Sequence, residues 1–163
     1  MAKKKDYSHG LTRKNTDEER NKKSAFICEN QWRKKEKDIV MLKYEEMTDK
    51  IIKAFYETYN ELGTGFIESV YENALYNVLV NYGLRVEKQK EIQVYFRGDI
   101  VGNFRTDLIV ENKIILELKA VNKIIPIYEA QLINYLKATE IEVGFIMNFG
   151  HKPEFIRRVF NNE

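Results

Sequence analysis

From Ile51 to Leu62 the apolar positions Ile51, Ile52, Phe55, Tyr59 and Leu62 recur at the three- and four-residue spacing of one helix face. Thr48 or Asp49 is placed to cap the start of that helix, near Met47, and Gly63 to end it. A second helix is predicted from about Ile67 to Tyr82, with Val70, Tyr71, Ala74, Leu75, Val78 and Leu79 on its buried face and Gly83 as its stop. The period then drops to two. Ile92, Val94 and Phe96 share a face, Arg97-Gly98-Asp99 makes a turn, and a strand returns from Ile100 to Val110 with Gly102 as a candidate bulge. Residues 114–121 read as a central strand, and Pro126 opens a helix at a position that proline tolerates. A last strand over residues 143–147 and a short helix from Pro153 close the pattern. This order predicts an α/β fold with a mixed sheet flanked by helices, and no internal repeat.

The stretch Asp107 to Val121, DLIVENKIILELKAV, breaks the apolar pattern in an informative way. Asp107, Glu117 and Lys119 lie inside strand-like apolar runs. Side chains alternate along a strand, so Ile115, Glu117, Lys119 and Val121 share one side while Ile114, Leu116, Leu118 and Ala120 share the other. Glu117 and Lys119 thus point the same way, roughly 7 Å apart. Asp107 joins them only if Glu111, Asn112 and Lys113 form a three-residue loop, which sets Asp107 opposite Glu117. A two-residue loop points it away. Asn112 is a residue type that tolerates the left-handed backbone of such loops.

Two facing carboxylates about 5 Å apart repel by a few kcal/mol at an effective dielectric near 20. Lys119 offsets part of this, and a divalent cation would remove the rest. Carboxylate oxygens suit Mg²⁺ or Mn²⁺. An Asp followed by Glu-x-Lys on the next strand fits metal-assisted hydrolysis of a phosphodiester. The plain structural alternative is a strand-end Asp107 with Glu117 and Lys119 on a solvated edge.

The composition narrows the chemistry further. The chain has 163 residues, 44% hydrophobic and 32% charged, which suits a single domain with its own core. Cys28 is the one cysteine, excluding an internal disulfide or a cysteine zinc site, and His9 and His151 are too few for histidine-based clusters. Carboxylate and metal chemistry is what remains. No apolar run approaches a membrane span and the N-terminus lacks a signal-like apolar stretch, so a cytoplasmic protein without a membrane partner is expected.

Residues 1–46 carry 13 Lys and Arg against 9 Asp and Glu, a surplus of +4, leaving 14 against 16 for residues 47–163. The leading segment is therefore expected to be a basic arm, loosely held to about Lys23, with a helix over Ser24 to Tyr44 in which Trp32 covers the domain surface or stacks on a base. The domain proper is assigned to residues 47–163.

Gly65-Phe66-Ile67-Glu68-Ser69-Val70-Tyr71 is a G-x-x-E-x-x-Y stretch, continued by Glu72-Asn73-Ala74-Leu75. With Val101-Gly102, Asp107-Leu108, Glu117 to Val121, Glu129 to Leu132 and Asn148-Phe149-Gly150, it resembles the bacterial and archaeal family named for that motif, over about residues 47–160. That family is placed in the PD-(D/E)XK nuclease-like superfamily. The resemblance implies a restriction-endonuclease-like core. It implies Asp107 and Glu117 as metal-binding acids, Lys119 as catalytic lysine, and Glu68 as the acid from the first core helix that completes the metal site in the exonuclease branch. Leu118, between the two charged positions, would ligate through its carbonyl as in similar sites. Gln131 and Tyr135 match the Q-x-x-x-Y pattern of that branch, which supports the site or contacts nucleic acid. Thr106 stands where the superfamily's name has proline.

The expectation is a nuclease dependent on Mg²⁺ or Mn²⁺, acting on DNA in preference to RNA. Two alternatives differ in kind: a catalytically silent nucleic-acid-binding or scaffold module, and a metal-dependent hydrolase of a small nucleotide or phosphate.

Overall fold

The computed structural model describes residues 43–161. The leading-segment expectations, including the basic arm, the helix from Ser24 and the role of Trp32, lie outside the described residues; Lys43 and Tyr44 form a turn. Helix α1 spans Glu45–Leu62 and α2 spans Glu68–Asn81. They are followed by strands β1 (Val86–Lys88), β2 (Glu91–Phe96), β3 (Asp99–Arg105), β4 (Leu108–Val110) and β5 (Ile114–Lys119). Helix α3 (Pro126–Lys137) and strands β6 (Val143–Asn148) and β7 (Glu154–Val159) complete the domain. Among the described residues no helix is long and apolar enough to cross a membrane.

Five strands form one mixed sheet in the order β1-β4-β5-β6-β7, and β2 with β3 forms a separate hairpin. Only the β5–β6 pair is parallel, joined across one face by α3; the other pairs are antiparallel. The alternation of side chains divides the core into two. Leu108, Val110, Ile114, Leu116, Leu118, Val143, Phe145 and Met147 pack with Ile51 and Phe55 of α1 and Tyr71, Leu75 and Leu79 of α2. Ile109, Ile115 and Ile146 face the other way, onto Leu132, Tyr135 and Leu136 of α3 and Ile92 of the hairpin. This is the predicted α/β mixed sheet with helices on both sides.

Several details differ from expectation. Helix α1 begins at Glu45, so Thr48 and Asp49 lie inside its first turns rather than capping it; the N-cap is Tyr44, in left-handed backbone at φ 61°. The predicted strand from Ile100 to Val110 is two strands: it breaks at Thr106 and Asp107, and its halves join different sheets. The hairpin turns on Arg97 and Gly98, both at positive φ, the left-handed geometry of tight hairpins. The expected bulge falls beside Gly102, where the register slips and Val101 has no cross-strand partner. Strand β1 was absent from the sequence pattern. The segment after Pro153 is a strand, not a helix: it pairs with β6 from Asn148↔Glu154 to Val143↔Val159. A fully buried strand such as β6 needs a partner on each side for its backbone polar groups, and that requirement overrides the helical reading of EFIRRV.

Candidate active site

The β4–β5 turn sets the site. Leu108 pairs with Leu116, Ile109 with Ile115 and Val110 with Ile114, which leaves Glu111, Asn112 and Lys113 as a three-residue loop. Glu111 and Asn112 both take left-handed backbone, φ 52° and 53°. One step beyond Leu108, Asp107 therefore stands opposite Glu117, as the odd loop requires. Both lie on the sheet face that carries Ile109 and Ile115, toward α3. Because β4 ends here, the next β5 amide facing it has no strand partner; the Leu118 N–H donates instead to Asp107 Oδ2, at 2.7 Å. The Thr106 N–H and hydroxyl both donate to the Lys90 carbonyl, at 3.1 and 3.3 Å. A proline at 106 would have no N–H to make the first of these.

Glu117 is only 3% exposed. Its Oε2 lies 3.6 Å from the Lys119 ammonium, and its Oε1 is buried without a hydrogen-bond partner. Burial first, then the neighbouring Asp107 charge, pushes its carboxyl up to about 8, against the opposing pull of Lys119. Burial also raises Asp107; the Leu118 N–H and Lys119 oppose this, and the charges of Glu72 and Glu68 add to it. The Lys119 ammonium sits 5.5 Å from the centre of the Tyr128 ring, a cation–π contact that holds it beside Glu117.

Glu68 reaches the same place from the opposite helix layer. It is the first residue of α2, and its Oε1 accepts the Ala120 N–H just past the end of β5, at 3.2 Å. The G-x-x-E-x-x-Y motif has a physical role in this placement. Gly65 has φ 102°, a conformation that suits glycine, and the buried Tyr71 hydroxyl ties the loop by donating to the Gly63 carbonyl at 2.9 Å and accepting the Phe66 N–H at 3.3 Å. Loop and helix start are thereby pinned, with Glu68 at the strand end. On the other side, Gln131 Nε2 donates to the Tyr135 hydroxyl at 2.5 Å. Burial raises Tyr135, and the Glu117 charge adds to this against the Gln131 hydrogen bond. The structure places Asp107, Glu117 and Lys119 on one sheet face, Glu68 at the strand end, and Gln131 and Tyr135 alongside. The alternative of Glu117 on a solvated edge does not hold: Glu117 is buried, and β5 lies between β4 and β6.

Two residues had no role in the sequence reading beyond their place in its motifs. Glu72, buried and hydrogen-bonded by the Gln89 side chain, adds negative charge near Asp107. Its position one helical turn after Glu68 was the available signal. Asn148 brackets the end of β5 with its side chain, accepting the Val121 N–H at 3.0 Å and donating to the Val121 carbonyl at 2.8 Å. Gly150 follows it so closely that an added Cβ would lie 1.8 Å from the Val121 oxygen.

The family model of the PD-(D/E)XK nuclease superfamily matches residues 45–159, most of the chain. The chain belongs to the PD-(D/E)XK nuclease superfamily. Nucleases of this superfamily generally depend on a divalent metal. Solved structures that resemble the chain include the following two. One is the crystal structure of SSO0001, 21% identical with a TM-score of 0.47, covering 58% of this chain and 52% of that one. The other is an alkaline exonuclease (LHK-Exo) from Laribacter hongkongensis, 15% identical with a TM-score of 0.44, covering 58% and 55%. The chain spans about half the length of each. No curated protein matches it.

The donor set suits a hard cation. It consists of carboxylate oxygens, and the partnerless Glu117 Oε1 is a buried acceptor that a cation would satisfy. Among the described residues, no three His, Cys, Asp or Glu side chains form a ready-made cage. Glu68 and Asp107 each place one oxygen on a backbone N–H, and Glu117 places one near Lys119.

Proposed function

We propose that this PD-(D/E)XK superfamily member is a nuclease dependent on Mg²⁺ or Mn²⁺, hydrolysing phosphodiesters in DNA in preference to RNA, of the kind its G-x-x-E-x-x-Y and Q-x-x-x-Y motifs resemble. The observation that carries the reading is Glu117: a buried carboxyl with an unsatisfied oxygen, opposite Asp107 and beside Lys119. An apolar residue there would be free of the desolvation that raises its pKa. The choice of DNA rests on the resemblance to the exonuclease branch.

Glu68, Asp107 and Glu117, with the Leu118 carbonyl, would hold the cation. When bound it supplies charge neutralisation and Lewis-acid polarisation of the scissile phosphodiester. The remaining work belongs to the chain. Glu117 would hold the cation as the carboxylate, its proton released to solvent. Lys119, held between Glu117 and the Tyr128 ring, orients the attacking water and stabilises the developing charge. Gln131 has both donor and acceptor groups to position substrate, and its orientation is set by Tyr135.

The test is cleavage of single-stranded DNA, duplex DNA and RNA with Mg²⁺ or Mn²⁺, comparing wild type with Glu117→Ala and Lys119→Ala. Each substitution is expected to lower cleavage on the order of a hundredfold or more while the fold persists. Equal cleavage by all three proteins would end the proposal.

A further inference from the structure

Two cavities between the hairpin and α3 are unassigned by the reading above. One, of about 460 Å³, is lined by Gln93, Tyr95, Phe104, Asn134 and Lys137, among others. The second, of about 270 Å³, shares Phe104 and Asn134 with the first and adds Gln131 and Tyr135. Sharing two wall residues, they adjoin, and together they are called the groove. It starts at the hairpin and ends at the Gln131–Tyr135 pair beside Glu117. The Phe104 ring marks the junction, 4.9 Å from the Tyr135 ring.

The lining is selective in its chemistry. No carboxylate lines either cavity, although the domain as a whole carries more acids than bases. Lys137 is the one charged group in the walls. The rest are aromatic rings, amides and small apolar side chains. Tyr95 is 60% exposed, and its hydroxyl donates to the Gln93 amide oxygen at 2.6 Å. Aromatic faces with amides and a single cation are what unpaired nucleotides need: stacking for the bases, hydrogen bonds for their edges, one charge for a phosphate. A duplex hides its base faces and is held chiefly by many cations along its backbone; this groove has one.

We propose that the groove between the β2–β3 hairpin and α3 binds unpaired nucleotides adjoining the scissile phosphodiester, so that the substrate contains a single-stranded segment. This inference rests on the nuclease reading of the site. Nucleotides stack on Tyr95 and pass Phe104 toward Tyr135. Lys137 contacts a phosphate, and Gln93 and Asn134 meet base edges.

The test is a binding measurement on the full chain with a chelator present, so that it reads affinity and not turnover. Fluorescence anisotropy of labelled single strands, DNA and RNA, is compared with that of a blunt duplex. Single strands are expected to bind more tightly than the duplex. Tyr95→Ala is expected to weaken single-strand binding about fivefold to a hundredfold. Lys137→Ala is expected to lower the slope of log affinity against log salt by about 0.7, the effect of one phosphate contact on a single strand. Lys53→Ala, on α1 away from the groove, serves as the charge control and should leave that slope unchanged.

Wild-type affinity in both groove variants would overturn the inference, as would a duplex bound as tightly as a single strand. So would a dimer in sedimentation that Tyr95→Ala splits without altering oligonucleotide affinity, since the exposed hairpin would then be a protein interface. Failure of the nuclease reading shows separately, as cleavage that Glu117→Ala and Lys119→Ala do not change.

Discussion

At the scale of single residues, Glu117 governs what the site can do. Its carboxyl titrates at about 8 when folded against an ordinary value of 4.5. Between those values the folded chain holds a proton that the unfolded chain has released. The native state's advantage from this group is therefore whole below about pH 4.5 and lost as pH rises toward 8, with an amplitude up to about 5 kcal/mol. Asp107, raised by burial, acts in the same direction. Chemical denaturation of chelated protein should show stability falling from pH 5 to pH 8, with most of the slope gone in Glu117→Gln. A variant with the wild-type slope would show that the proton is held elsewhere. The sequence already marked Glu117 as misplaced for a plain strand. Its unpartnered oxygen could not be read there, because that depends on α3 and the hairpin closing over the sheet.

At the scale of elements, the three-residue β4–β5 loop and the start of α2 place the acids. The loop was legible only as a condition: the sequence showed that an odd count would set Asp107 opposite Glu117 and that Asn112 tolerates such a backbone, and the pairing of the folded strands supplied the count. The α2 start was legible as a motif, but the work of Tyr71 was not. Tyr71 acts on Gly63 and Phe66 to hold a loop, and the helical pattern shows it only as a buried face. Tyr71→Phe should lower stability by about 1–3 kcal/mol by leaving those groups unpaired. Cleavage should fall on the order of tenfold or more as Glu68 shifts. Urea titration and cleavage rates measured on the same preparation check both, and a variant with wild-type stability would show that the hydroxyl does not hold the loop. Strands β1 and β7 were illegible for a related reason. Three residues amid charges, or EFIRRV after a proline, become strands only because neighbouring sheet edges need partners.

At the scale of the whole molecule, two helical layers and a hairpin enclose a sheet whose apolar faces are filled on both sides, and the charged cluster sits where β4 ends while β5 continues to Lys119. A cation that binds only this folded arrangement stabilises it by mass action, by about 2.7 kcal/mol at a hundred times its dissociation constant. Thermal unfolding should therefore move upward with Mg²⁺ or Mn²⁺ and fall back on chelation, with Asp107→Asn unresponsive. An equal shift in that variant would place the cation elsewhere. By itself the sequence determined the fold class and the shared facing of Glu117 and Lys119, because periodicity is a property of consecutive residues; it left Asp107 open between an odd and an even loop, and the structure chose the odd one. Only the tertiary structure decided that Glu117 is sealed with an unsatisfied oxygen, that Glu72 joins the charge cluster, that Thr106 donates where a proline could not, and that a groove free of carboxylates leads to Gln131 and Tyr135. Those are matters of desolvation and proximity between segments far apart in the chain, which exist only once the layers have closed.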